Sequence, residues 1–492
     1  MKRWFQFSLR TWFVLLTIAT CLFVFGRYAI HRQRLQRKII ETATLTYDGH
    51  SRHSSTRTVT SSALGTYTTT PRPYVWLRDS SVFPWASRAS KGAVTFCAFD
   101  TVENHLNVPL WMRDILATGE LRTLKLLQLY ENDIETLRLE LVGMRNHGLE
   151  ELVLSANRDV RLPLGTSLQG LQHLKKLHTL QLSDADVAWH QSLPHGLPPN
   201  LKHVSLRQCG LTTEDMQILT ACTQLESLDL SGNPGGLTPL VDAGLPSTLK
   251  ILNCNRTGVT KDDLHAIRNC SQLEELNLAD SGVDLRNCDE IELPKNLVKL
   301  QLDKAILDAS SFRMLAALPR LESLEINEST FEDADLAGIR LSQSLKTVGA
   351  RGTKAATQFA RSLAGAEKLE SLNFYGIEIT DKTLFALGEK PELRLLLMKS
   401  QRITDASAEW FKSLTKLSRL ELIDSSVTDK FFIAAPHLKE VWDLRLDGSG
   451  VSEKLKIELR DLKRKRYAEQ QKRMTAMRTR DPNTLVVPGP RP

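Results

Sequence analysis

Apolar residues recur at a fixed interval along most of the chain. The stretch that begins at Leu225 reads Leu-x-x-Leu-x-Leu and is followed by Asn233, and this spacing returns every 24 residues. The first apolar position of each copy is held by Leu177, Leu201, Leu225, Leu249, Leu273, Leu297, Leu321, Leu345, Leu369, Leu393, Leu417 and Val441, after two looser copies at Leu124 and Leu149. Such a period predicts a solenoid in which each copy forms one short strand and then turns back.

The second half of each copy carries its own pattern. Threonine-aspartate pairs follow an apolar residue in three copies: Thr380-Asp381, Thr404-Asp405 and Thr428-Asp429. Threonine and aspartate are common helix N-caps. Apolar pairs spaced by three residues come next, such as Leu384 and Leu387, and indicate a short helix whose apolar side faces inward.

This repeat resembles that of the leucine-rich-repeat family. The resemblance implies an α/β solenoid of about 14 repeats, with a curved parallel sheet on the concave face and short helices on the convex face. The start of the chain, from Phe5 to Thr11 and the apolar run after it, resembles membrane-anchored leucine-rich-repeat proteins of planctomycete-type bacteria. The stretches 46–48 and 76–78 extend that second resemblance.

An apolar segment predicts a transmembrane anchor at residues 11–30, preceded by a basic segment at 1–10. Residues 11–26 carry no charge, and Arg10 and Arg27 flank them. A cleaved signal peptide is the alternative, but no small-x-small site precedes the basic residues that follow. We therefore expect a single-pass protein, in a bacterial inner membrane if the resemblance holds. Basic residues flank the segment on both sides, and the larger cluster after it favours a cytoplasmic solenoid.

Composition divides the rest of the chain into a Ser- and Thr-rich juxtamembrane stalk (31–90), an N-terminal cap (91–123), the leucine-rich-repeat solenoid (124–452), a basic C-terminal helix (453–480) and a disordered, proline-rich tail (481–492). The basic helix has its own apolar spacing, which would let it close the end of the solenoid through Leu455, Leu459 and Leu462.

Charge is concentrated at the two ends of the chain. Residues 1–40 carry eight Lys or Arg and no acid, and residues 453–492 carry twelve basic against five acidic groups. The part between them is therefore acidic, although the net charge of the chain is +7, and this argues against nucleic acid binding by the solenoid. The basic helix is a candidate for contact with anionic lipid, and a solvated helix is the alternative.

Within the solenoid, the residue after each first leucine nearly alternates in charge, as in Glu226, Lys250 and Glu274. Parallel strands in register would place these opposite charges side by side. Such pairs stabilise the correct strand pairing, whereas like charges would repel. We interpret this column as a device that fixes the register rather than as a ligand site.

No residue pattern indicates catalysis. Despite twelve His and seven Cys, the chain has no His-Glu-x-x-His, phosphate-binding glycine loop, nucleophile elbow or Cys-x-x-Cys motif. The repeat assigns most cysteines to structural positions. Cys222 and Cys270 share one column two strands apart, at about 10 Å, which is too far for a disulfide. We therefore expect no enzyme activity, no cofactor and no metal site.

A protein-binding surface is the function that remains. Large apolar residues stand in four C-terminal repeats at positions that would point outward from the sheet: Tyr375, Leu395, Leu397, Ile423 and Trp442. Exposed apolar groups usually mark an interaction site, although the chain's own tail is an alternative cover. The sequence predicts a membrane-anchored scaffold that binds an unknown protein partner on the concave surface. The alternative is a structural envelope protein that organises membranes by self-association and lipid contact.

Overall fold

The structure, a computed structural model, describes residues 148–156, 161–165, 167–242, 244–354 and 357–480, together with strands at 57–61, 65–69, 76–78, 95–98 and 123–129. The predicted anchor at 11–30 and the predicted tail at 481–492 lie outside the described residues, as does most of the stalk. Within the described part of the chain, no helix combines the length and the apolar character that crossing a bilayer requires. Two units, Met1–Gly210 and Leu211–Pro492, are described in turn.

The first unit is built mainly on parallel strands. Its strands are β1 (Arg57–Ser61), β2 (Gly65–Thr69), β3 (Trp76–Arg78), β4 (Thr95–Ala98), β5 (Thr123–Leu129), β6 (Glu151–Ala156), β7 (Leu162–Gly165), β8 (Thr179–Ser183), β9 (Ala185–Val187) and β10 (His203–Arg207). Strands β4, β5, β6, β8 and β10 pair in parallel in that order, and β3 pairs antiparallel with β4. Separate pairs are formed by β1 with β2 and by β7 with β9. The helices among its described residues are the 3-10 helix Ser167–His173 and α1 (Trp189–Ser192).

The second unit repeats one strand per copy in strict register. Its strands are β11 (Ser227–Asp229), β12 (Ile251–Asn253), β13 (Glu275–Asn277), β14 (Lys299–Gln301), β15 (Ser323–Glu325), β16 (Thr347–Gly349), β17 (Ser371–Phe374), β18 (Leu395–Lys399), β19 (Arg419–Ile423) and β20 (Asp443–Arg445). Each pairs in parallel with the next, and Leu228 lies opposite Leu252, which lies opposite Leu276. The same leucine column continues to Leu420 and Leu444, so the 24-residue period fixes every pairing.

The return arms of the second unit are 3-10 helices in the earlier repeats and mostly α-helices in the later ones. The 3-10 helices are Glu214–Leu219, Thr238–Leu240, Asp262–Ile267, Asp333–Leu336, Asp405–Ser407 and Pro436–Glu440. The α-helices are α2 (Ala309–Ala316), α3 (Thr357–Ser362), α4 (Asp381–Leu387), α5 (Ala408–Phe411), α6 (Asp429–Ala434) and α7 (Glu453–Arg480). The repeat that begins at Leu273 has turns here instead of a helix, although the pattern predicted one in each repeat.

The core of the second unit consists of the repeated leucines and the apolar residues of the return arms. Leu225, Leu228 and Leu230 are fully buried, and the equivalent residues of later repeats are buried as well, except Leu444 in the last strand, which is half-buried. A fully buried aliphatic side chain contributes roughly 1.5–3 kcal/mol relative to an exposed one. Because every repeat supplies several such residues to its neighbours, the stack and not the single repeat is the stable unit.

A polar residue closes the turn after several of the strands. Asn233 is fully buried and donates its side-chain N–H to the Leu230 carbonyl at 2.7 Å. A smaller side chain makes the same contact in the next repeat, where the Thr257 hydroxyl donates to the Cys254 carbonyl at 2.6 Å. The residue before it adopts a positive φ in most repeats, even where it is Arg256 (53°). This left-handed residue turns the chain away from the sheet at the same place each time.

Aspartates at the start of three helices link neighbouring repeats. The carboxylate of Asp405 accepts hydrogen bonds from the backbone N–H of Thr428 (2.7 Å) and from its hydroxyl (2.6 Å). The same two bonds join two further couples: Asp381 with Thr404, and Asp429 with Ser452. We call these three couples the aspartate ladder. The threonines predicted as N-caps are confirmed as caps, since Thr404 and Thr428 also accept backbone N–H groups of their own helices.

Helix α7 packs on the last repeat through its first half. Leu455 is buried, and Leu459 and Leu462 are half-buried. Ion pairs add to this contact: Lys439 with Glu458 (3.1 Å) and Lys463 with Asp443 (3.5 Å). Arg466 also donates to backbone carbonyls of the preceding repeat, including that of Lys439. The start of α7 is thus held in place by apolar, ionic and hydrogen-bonded contacts.

Candidate functional site

The five predicted partner-binding residues lie at neighbouring positions of the sheet. Leu395 and Leu397 belong to β18, and Ile423 is the last residue of β19. Tyr375 directly follows β17, and Trp442 directly precedes β20. We call these five residues the apolar patch. All five are half-buried, because neighbouring side chains already cover part of each of them.

Both leucines of the patch have polar residues beside them on the two neighbouring strands. Leu395 lies between Ser371 and Arg419 in the register of the sheet. Leu397 lies between Asn373 and Glu421. The surface is therefore a mixture in which apolar and charged side chains alternate, and it is not a continuous apolar area.

The charged neighbours form a network centred on one carboxylate. Glu421 is largely buried, and its Oε1 accepts a hydrogen bond from Arg419 at 2.7 Å. Arg445 lies 3.5 Å from the same oxygen, and Asp443 lies 3.3 Å from Arg419 Nε. The hydrogen bond that Arg419 donates to Glu421 raises the pKa of the Arg419 guanidinium, so this charge is retained. Among the described residues, Arg419 Nε has no hydrogen-bond acceptor in suitable geometry despite that short distance.

The Tyr375 end of the patch is also bordered by charge. The Lys399 ammonium lies 5.9 Å from the centre of the Tyr375 ring and 3.3 Å from Asp424. A cation at this distance from an aromatic face is attracted to it by about 0.5–1 kcal/mol at an exposed site. The contact fixes one side of the ring and leaves the ring half-buried at the surface.

On the earlier strands, most polar residues of this face have structural partners. Asn253 and Asn277 each accept the backbone N–H of the residue two positions later, at 3.1 and 2.9 Å. Asn373 makes the same contact with the backbone of Tyr375 at 3.1 Å. These asparagines shape the turn after the strand, which explains why they recur at one position.

Sequence reasoning missed one apolar residue on the same face. Ile251 of β12 is 41% exposed, more than any residue of the apolar patch. It occupies the same position of its repeat as Leu395, so a search of every repeat at that position would have found it. It stands alone among polar neighbours, opposite Ser227 and Glu275.

A second missed feature is an acidic group on β15 and its neighbouring turns. The amide of Asn327 donates to Asp303 (3.0 Å) and to Glu325 (2.9 Å), and burial raises the pKa of both carboxyl groups. Gly349 lies opposite, where a side chain would collide with Glu325 Oε2. The carboxyl groups are held within the turn by this amide. Within the described residues, no three His, Cys, Asp or Glu side chains come together in a group that could hold a metal ion.

The predicted charge column forms ion pairs between neighbouring strands. Three pairs lie in this column: Lys250 with Glu226 (2.9 Å), Lys346 with Glu322 (2.7 Å) and Arg394 with Glu370 (3.8 Å). Exposed pairs of this kind contribute about 0.2–1 kcal/mol each. Neighbouring strands therefore place opposite charges side by side in this column, as the sequence predicts. Trp442 takes the place of a charge in this column near its end.

Five cysteines of the described residues are buried: Cys209, Cys222, Cys254, Cys270 and Cys288. Burial raises the pKa of the Cys222 and Cys270 thiols to about 12, so both remain protonated at neutral pH. A protonated thiol is a poor nucleophile and a poor metal ligand. Their positions confirm the structural role that the repeat predicts for them.

Comparison with known proteins gives matches only among solved structures, since no protein-family model and no curated protein matches the chain. An internalin (inlF) from Listeria monocytogenes matches with a TM-score of 0.46 and 18% identity, over 69% of this chain and 84% of the internalin. The functional domain of InlJ from Listeria monocytogenes matches with a TM-score of 0.42 and 15% identity, over 72% of each chain.

The LRR ectodomain of the plant membrane receptor kinase GASSHO1/SCHENGEN3 from Arabidopsis thaliana, solved in complex with CASPARIAN STRIP INTEGRITY FACTOR 2, also matches. Its TM-score is 0.39 at 14% identity, and the match covers 69% of this chain and 48% of the ectodomain, so the chain spans about half of that length. The parallel strands, the short return helices and the continuous strand register of this chain itself fit a leucine-rich-repeat solenoid.

Proposed function

We propose that the protein is a membrane-anchored scaffold that binds another protein on the solvent-facing side of its sheet, at the apolar patch. The proposal is carried by one observation, which is that large apolar side chains cluster at the C-terminal end of a face whose other residues are mostly polar and have structural partners. Leu397 stands where Asn253, Asn277 and Asn373 shape the turns of other repeats. A leucine cannot replace that contact, so its presence requires another explanation.

The surroundings of the patch suit a protein partner better than a small molecule. Protein interfaces combine aromatic and apolar anchors at the centre with a polar rim. Tyr375 and Trp442 are candidate anchors, and the network of Arg419, Glu421 and Arg445 supplies the charged part.

The membrane part of the proposal rests on the sequence. Residues 11–30 would hold the protein as a single-pass anchor in a bacterial inner membrane, and the basic residues after this segment favour a cytoplasmic solenoid. A scaffold tethered in this way would hold its partner close to the bilayer. No catalytic step is part of this proposal.

Affinity capture with the full chain tests the binding surface. The full chain would be expressed in its own cells, extracted in mild detergent and captured together with the proteins bound to it. The double variant Leu397→Asp with Ile423→Lys places two charges in the patch, and we expect it to lose at least one protein that the wild type retains. The matched control is Ile251→Lys with Gln301→Asp, which introduces the same charges at exposed positions on the same face of earlier strands.

The outcomes separate the proposal from its alternatives. Retention of every captured protein by the patch variant, with an unchanged thermal melt, would rule the patch out as the site. A sharp fall in the melting temperature of the patch variant alone would show that these residues are internal packing. Concentration-dependent assembly of the purified wild type, lost in the patch variant, would instead favour the self-associating envelope protein.

A further inference from the structure

Three of the most exposed apolar side chains of the second unit lie on its return helices at one position of the repeat. Phe385 of α4 is 49% exposed, Ile433 of α6 is 76% exposed, and Ile457 of α7 is 53% exposed. Ile433 and Ile457 are one repeat apart, and Phe385 precedes Ile433 by two repeats. The solenoid therefore presents them in one row along its helices.

Each of these residues has an exposed lysine one helical turn before it. Lys382, Lys430 and Lys454 are all exposed, and among the described residues none of them forms an ion pair. Residues three apart on a helix share a face, so each lysine lies beside its apolar partner. We call these six residues the lysine-apolar ridge: Lys382, Phe385, Lys430, Ile433, Lys454 and Ile457.

The ridge is specific to the end of the solenoid. Five earlier repeats have a polar residue at the position of Phe385, and two have a smaller apolar one, Val241 and Ala337. The polar residues are Gln217, His265, Asp289, Arg313 and Arg361. The one repeat inside the ridge that departs from the pattern has Glu409 at this position, and its carboxylate forms an ion pair with Lys412 at 2.5 Å. Its negative charge is thus largely offset.

The carboxylates at the starts of nearby helices already have hydrogen-bond donors. Asp381, Asp405 and Asp429 accept the bonds of the aspartate ladder from the following repeat. Beyond Ile457, helix α7 continues with the basic sequence 463–466, of which Lys463 pairs with Asp443. The ridge therefore joins a strongly basic helix at its C-terminal end.

We propose that the lysine-apolar ridge is a docking surface for a lipid bilayer that contains anionic headgroups. Single apolar side chains that project from a helix can enter the boundary between headgroups and acyl chains, while lysines beside them contact the phosphates. The three apolar residues are separated by polar ones and form no groove, which distinguishes the ridge from a surface that binds a helix or a peptide. The ridge is made of return helices and the apolar patch of strands, so this inference is independent of the proposed protein partner.

Amine labelling of the full chain in lipid nanodiscs tests the inference. The protein would be mixed with discs of phosphatidylcholine alone, or of phosphatidylcholine with phosphatidylglycerol, and its lysines labelled and quantified by mass spectrometry. We expect the labelling of Lys382, Lys430 and Lys454 to slow by about fivefold or more in the anionic discs, since each lysine at an anionic surface contributes about this factor to binding. Lys295 and Lys368, which are exposed elsewhere on the same unit, are internal controls and should not change.

A triple variant tests the apolar half of the ridge. In Phe385→Ser with Ile433→Ser and Ile457→Ser, all three changes are at exposed positions, so the melt should stay close to that of the wild type. We expect the protection of the three lysines in anionic discs to fall by at least half. The matched charge control, Lys295→Gln with Lys368→Gln, should keep full protection.

Two other results would contradict the inference. Equal labelling of the ridge lysines in both kinds of disc would overturn the inference. Protection that needs the captured protein partner and ignores lipid composition would assign the ridge to a protein instead. If residues 11–30 did not insert into the bilayer, that alone would produce neither result, because the chain would still be mixed with both kinds of disc.

Discussion

The aspartate ladder gives a prediction whose size follows from the geometry. In Asp405→Ala, the backbone N–H and the hydroxyl of Thr428 lose a carboxylate acceptor at 2.7 and 2.6 Å. A hydrogen bond to a charged group contributes roughly 1.5–3 kcal/mol. Both residues are half-buried, so water replaces part of the loss, and we expect the link between these two repeats to weaken by about 2–3 kcal/mol.

Hydrogen exchange is the suitable assay, because a solenoid unfolds in parts and a single unfolding free energy would average the effect. A loss of this size corresponds to exchange of the Thr428 amide that is faster by roughly 30- to 150-fold. The increase should be confined to peptides from the repeats on either side of the link. Asp405→Asn retains one acceptor oxygen and should give an intermediate value.

The control for this prediction is Asp447→Ala, which removes an exposed carboxylate whose side chain makes no hydrogen bond within the described residues. Its exchange pattern should match the wild type. If the Thr428 amide exchanged at the wild-type rate in Asp405→Ala, the hydrogen bonds of the ladder would contribute nothing measurable to stability. The argument from their lengths would then be refuted.

Three further predictions concern the core, the anchor and acid stability. Leu372→Ala, at a fully buried position of β17, should cost about 2–5 kcal/mol, and a loss under about 1 kcal/mol in denaturant melts would contradict the assigned register. Deletion of residues 1–30 should release the protein from membranes, and its retention after a carbonate wash would move the anchoring role to the basic C-terminal helix. Burial opposes ionisation of Asp308, but hydrogen bonds from Ser310, the Asn287 backbone and Ser311 outweigh it and lower its pKa to about 2. Its contribution to stability is therefore present above the unfolded pKa of about 4 and lost as the pH falls towards 2. Asp308→Asn should weaken that pH dependence in melts at pH 5 and pH 3, and an unchanged dependence would contradict the argument.

The register could be predicted because one residue type repeats at one spacing. Leu228, Leu252 and Leu276 are adjacent in the sheet as the period requires, and the charge column follows from the same register. The N-caps could also be predicted, since threonine before an apolar helix has few other functions. The second role of Asp405 could not, because its acceptor geometry depends on how far one return helix lies from the next.

The exposure of surface residues was harder to predict from the sequence than the burial of the core. The apolar patch was expected to be exposed, but its residues are half-buried, and the Lys399 ammonium lies over the ring of Tyr375. The exposure of Phe385 and Ile433 was not predicted, because helix spacing identifies only the positions that face inward. It gives no sign that a remaining, solvent-facing position carries an apolar residue. The buried acidic group around Asn327 needs contacts between turns that no local pattern records.

The ladder also bears on how such a chain gains and loses repeats during evolution. Each aspartate from Asp381 onward finds a threonine or serine cap at the same place in the following repeat, and the last of them finds Ser452 at the start of α7. Removal or duplication of one whole repeat within this region would leave every acceptor opposite a donor. A deletion of any other length would break the series at its junction. The contacts thus make the whole repeat the natural unit of insertion and deletion in this part of the gene.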